Sequence, residues 1–179
     1  MRTITLELLR HGPSHNQLLS PLTPYIALCE NHGAVTVHVP FGHNQFLHRL
    51  EALGYGPDDG SRIFELKDTA SILGEILALV PGLTAEANKR DSGDDPLTHL
   101  RLIISASELA LLPFELALAP AGIPGAGQHL LLQSQMPVCL TREVRRAPDD
   151  DLDWSNRKPR VLFIAAAPRN VSTIMRHRG

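Results

Sequence analysis

The stretch His99 to Pro120, HLRLIISASELALLPFELALAP, most constrains what this chain can fold into. Leu100, Leu102 and Ile104 alternate on one side with Ile103 between them, so the first half is a strand that needs burial. The second half closes on Leu111-Leu112-Pro113-Phe114-Glu115. Pro113 can open a short helical turn, because the first helical position needs no N–H donor, and Phe114, Leu116, Ala117 and Leu118 then supply an apolar turn beside the strand. A strand that runs straight into such a turn is a core element. Glu115 stands inside it as a carboxylate expected to be buried, where it needs partners: backbone N–H groups, or an arginine such as Arg101 or Arg142.

Around that centre the chain alternates between the two periods. Ile4, Leu6 and Leu8 alternate with Thr5 and Glu7 as a strand with one wet face. A Pro/Ser/Asn/His-rich loop over His11 to Pro24 follows. Tyr25 to Cys29 and Val35 to Val39 read as a hairpin turning through Glu30-Asn31-His32-Gly33, with Gly33 as the residue of positive φ. Asn44 can cap a helix with Phe46, Leu47, Leu50 and Leu53 on one side, ended by Gly54 and Gly56. The longest helix carries Ile63, Leu66, Ala70, Leu73, Leu77 and Val80 at steps of three and four; a helix packed on a sheet is expected, ended by Pro81-Gly82, with a loop over Thr84 to Pro96. His129 to Leu132 and Val138 to Val144 read as two strands broken at Pro137, or one bulged edge strand. An acidic, Pro-containing linker occupies 146–159, and Val161 to Ala167 is apolar on both faces, as a central parallel strand would be.

Composition narrows the function classes. Of 179 residues, 43% are hydrophobic and 20% charged, which suits a folded globular chain. A net charge of -2 and 4% aromatics offer neither the basic face nor the stacking platforms of a nucleic-acid binder. MRTITLELLR includes Glu7 and lacks the continuous apolar core of a signal peptide, and no run of about 20 apolar residues could span a membrane. A cytoplasmic location is expected, without nucleic-acid or membrane partners. Cys29 and Cys139 sit in separate strand-like runs and read as buried thiols rather than a disulfide.

No motif for chemistry emerges. His11 and His15 flank Gly12-Pro13, His43 and His48 would diverge on a helix, and no HExxH or Cys/His cluster is present. GxSxG is absent, and Ser107 is more simply a helix cap. Cys139 with His129, or Cys29 with His32, could form a dyad, but a thiol within a strand is hard to activate. The loop Ala121 to Gly127 matches neither GxxxxGK[ST] nor GxGxxG. We therefore assign no catalytic, metal or cofactor residue and expect no cofactor.

The order LRLIIS, ELALLPFELALAP, loop, PVCLTREV, acidic linker, PRVLFIAAAP resembles the N-terminal part of CHAT domains, caspase-like peptidases often joined to tetratricopeptide repeats. LLPFEL is similar to that family's L-P-W-E-L element, with Phe114 where tryptophan is usual, and RVLFIAAAP is similar to the first strand of its catalytic half. The likeness covers Leu100 to Pro168, and Met1 to Gly82 more loosely. It implies an α/β, caspase-like three-layer sandwich, a mixed sheet flanked by helices, with an inactive half preceding an active one. Residues 1–145 would be the pseudoprotease half, 146–159 the linker, and 160–179 the first strand of a truncated catalytic half plus tail.

Members of the family are cysteine endopeptidases, some of them in bacterial self-killing and defence. Their histidine and cysteine patterns, H-x-x-G-H-G and N-A-C, do not occur in this chain, so no catalytic residue is carried over. Pro113, Phe114 and Glu115 take structural roles. The expected function is a structural or interaction module without activity alone, its partners a catalytic CHAT half or a tetratricopeptide-repeat sensor. A fragment that complements a separately encoded catalytic half, and a stand-alone small α/β enzyme or ligand-binding domain, stay open as alternatives.

Overall fold

Alternation of Ile4, Leu6 and Leu8 with polar neighbours makes the first strand, β1 (Arg2–Arg10), and each of the three is at most 2% exposed. A computed structural model of the chain describes residues 1–10, 17–53, 59–89 and 97–145, all within the unit Met1–Arg146. His11, His15, the 146–159 linker, the Val161 to Ala167 strand and the tail lie outside the described residues.

The described elements follow as β2 (Pro24–Cys29), β3 (Val35–His38), α1 (His43–Leu53), α2 (Asp59–Ala78), α3 (Pro81–Asn88), β4 (Thr98–Ile104) and β5 (Val138–Val144). They form an α/β structure on one mixed five-stranded sheet of order β3-β2-β1-β4-β5. The hairpin strands β2 and β3 are antiparallel, β2 is antiparallel to β1, and β1, β4 and β5 are mutually parallel. In register, Leu6 lies beside Leu102 and Leu8 beside Ile104, so the apolar sets of β1 and β4 share a face. Tyr25, Ala27 and Cys29 of β2 and Val37 of β3 continue it, and Phe46, Leu73, Ile76, Leu77 and Leu83 of the helices close over it. The other face carries Thr3, Thr5 and Glu7 of β1, His99, Arg101 and Ile103 of β4, and Cys139, Thr141 and Glu143 of β5.

Several local expectations change. The left-handed residue in the hairpin turn is Glu30 (φ 47°), not Gly33. Glu30 N–H donates to Thr5 O at 3.1 Å and its carboxylate accepts the Thr5 N–H, so pairing to β1 holds a conformation that a non-glycine residue rarely adopts. Pro81-Gly82 does end α2, but Pro81 also starts α3 in what the sequence suggests is a loop, since a first-turn proline costs no hydrogen bond. In α2 the stripe holds from Ala70 to Leu77, whereas Ile63 in its second turn is 50% exposed. Ser107 is the first residue of a 3-10 turn, Ser107–Leu111, rather than its cap. Residues 129–132 form no strand: His129 makes a single bridge to Leu118, and the second parallel neighbour of β4 is β5 alone.

The clearest close approach is at Gly74 of α2. A Cβ there would meet the Leu118 carbonyl oxygen at 2.7 Å, and Leu118 N–H donates to Ala70 O at 3.0 Å, so the chain after Phe114 lies directly on the helix.

Among the described residues no single helix is long and apolar enough to cross a membrane. The stretches 60–78 and 81–88 reach that composition only together, across an 88° bend.

Candidate functional site

The Pro-Phe-Glu segment sits where the core meets the sheet edge. Pro113 precedes the 3-10 turn Phe114–Leu116, with Leu116 N–H donating to Pro113 O at 2.9 Å and Ala117 N–H to Phe114 O at 3.1 Å. Phe114 is 1% exposed and belongs to the main apolar cluster. Glu115 is not buried: its side chain is 44% exposed. A three-residue turn has room to bury one side, Phe114 takes it, and Glu115 points outward. Its partner is Arg142 on β5, at 3.1 Å, while Arg101 pairs with Glu143 at 2.6 Å. Arg142 also donates to the carbonyls of Ala110 (3.1 Å) and Leu112 (2.8 Å). One guanidinium therefore latches the whole segment from Ala110 to Glu115 onto the edge strand.

The buried carboxylate is Glu108, 2% exposed, seven residues before Glu115 in the same apolar run. It accepts from Tyr25 Oη at 3.3 Å and lies 3.1 Å from Arg10 Nη1, whose hydrogens do not point at it, so that contact is one of charge. Burial, and next the Glu108 charge, push the Tyr25 phenol above its ordinary range. On the opposite face of the sheet, at the carboxyl ends of β1, β4 and β5, Glu7 accepts from Ser105 Oγ at 3.3 Å and pairs with Arg145 at 2.8 Å. Carboxyl ends of parallel strands are the usual place for ligands, but every arginine here already has its carboxylate. Only the spacing of two carboxylates in one apolar run hinted at Glu108; its partners come from β1 and β2, more than 80 residues away.

The two dyads weighed from sequence come apart in different ways. Cys29 is 1% exposed, and burial first, then the charges of Glu30 and Glu86, pushes its thiol up to about 12. His32 Nε2 lies 2.7 Å from Glu86, which also pairs with Lys89 at 2.6 Å, so the imidazole is engaged by a carboxylate while the Cys29 thiol stays protonated. Cys139, expected buried, is exposed: β5 is the edge strand among the described residues, and its side chains on the face away from the main core, Cys139, Thr141 and Glu143, are all exposed. Its neighbour in register is His99, not His129. His99 Nε2 is held at 2.7 Å from Thr141 Oγ1, and His129 Nδ1 at 3.0 Å from Leu116 O.

Gly122, Gly125 and Gly127 all take positive φ; at Gly125 the protein itself packs against the loop, whereas a Cβ on Gly127 would meet nothing within 4 Å. Gln135 accepts the Gly125 N–H at 3.1 Å, and a Cβ on Gly125 would meet Gln133 Oε1 at 2.6 Å. Among the described residues no group of three His, Cys, Asp or Glu side chains gathers to hold a metal.

The remaining feature is the edge itself. Arg145 N–H donates to Ile104 O at 2.9 Å and Pro137 O accepts from Thr98 N–H at 2.8 Å, so the odd-numbered residues of β5 bond to β4. In a parallel ladder the N–H groups of Leu140 and Arg142 then point away from the sheet. Val138 and Leu140 pack only partly against the core from this position.

No family model matches the chain, and neither a curated protein nor a solved structure matches it.

Proposed function

We propose that this chain is the non-catalytic N-terminal part of a CHAT-type, caspase-like cysteine endopeptidase, a cytoplasmic structural and interaction module whose β5 edge receives a strand of a catalytic half. The observation that carries this reading is the latch: the Leu-Leu-Pro-Phe-Glu segment on which the family likeness rests is tied by Arg142 to the one parallel strand whose outer side has no partner among the described residues. An outward row of N–H and C=O groups beside half-covered Val138 and Leu140 suits addition of a further parallel strand. The three-layer sandwich belongs to the same proposal. The described helices close one face of the sheet, and a second helical layer would take the face of Thr5, Arg101 and Thr141.

Mixing the purified chain with a separately produced CHAT catalytic half that bears the histidine and cysteine strands tests it. The expected result is co-elution, with peptide hydrolysis in the mixture and none by this chain alone. Leu140→Pro removes an outward N–H while sparing the ladder to β4, and should abolish co-elution in a protein that still melts cooperatively. An inert mixture that does not associate, or turnover by this chain alone, overturns the proposal.

A further inference from the structure

We draw no further inference here: the strongest candidate, the exposed Cys139 thiol beside His99 on the open face of the sheet at its β5 edge, rests on a single cysteine, and nothing else in the structure points to a ligand or modifying group at that place.

Discussion

At the scale of single residues, the two carboxylates of the Ser107 to Pro120 run differ in what their loss should do. Glu108 is sealed beneath Arg10 and Tyr25, so Glu108→Ala leaves a guanidinium that is 15% exposed facing a cavity. We expect a loss of about 3 kcal/mol in urea unfolding, the usual cost of removing one member of a buried pair. Glu115→Ala breaks an exposed pair and should cost under about 1 kcal/mol. Arg142→Ala removes that pair and two bonds to backbone carbonyls, and should cost about 2 kcal/mol, more than Glu115→Ala. Equal effects of the two Glu→Ala substitutions would show that Glu108 is not the buried one. The cysteines give a parallel contrast. Iodoacetamide should modify Cys139 alone in the native protein, with Cys29 following only on unfolding, as intact mass would read. Labelling of Cys139 therefore reports exposure and is no sign of catalysis.

The elements depend on contacts as close as these. Gly74→Ala in α2 should gain about 1 kcal/mol of helix propensity, yet the new Cβ would sit 2.7 Å from the Leu118 carbonyl, which is backbone and cannot rotate away. Overpacking of this kind costs about 1–3 kcal/mol, so we expect net destabilisation and a lower melting temperature. Glu86 ties α3 to the β2–β3 turn through His32 at 2.7 Å, and pairs locally with Lys89 at the end of its own helix. The Lys89 hydrogen bond first, and then that of His32, holds the Glu86 carboxyl below its ordinary 4.5 against the opposing effect of burial. A carboxylate depressed in the folded state stabilises it above the unfolded value, and that stability is lost as pH falls through the folded one. Melting temperature should therefore drop as pH falls below about 4.5. Glu86→Gln should remove part of that drop, and an unchanged pH profile in Glu86→Gln would place the acid sensitivity elsewhere.

For the molecule as a whole, stability should grade from the centre of the sheet to its edge. Leu102 lies between β1 and β5 and is 1% exposed, so Leu102→Ala should cost about 2–5 kcal/mol. Leu140, half-covered on β5, should cost clearly less, and similar losses at both positions in urea unfolding would mean that β5 is not an edge.

The sequence by itself determined the strands β1, β4 and β5, the hairpin and the helix α2, because periods of two and of three to four are local properties of the chain. It also identified Phe114 as core, since an aromatic side chain after proline in an apolar run has few other places to go. Only the tertiary structure decided which carboxylate is buried, which thiol is exposed and which arginine holds the Pro-Phe-Glu segment. Those outcomes depend on strand order and on which face each side chain meets, and Glu108 finds Tyr25 and Arg10 only after β1, β2 and β4 have paired. Glu30 rather than Gly33 took the left-handed turn for the same reason: a bond to β1, distant in sequence, outweighed the local preference of glycine.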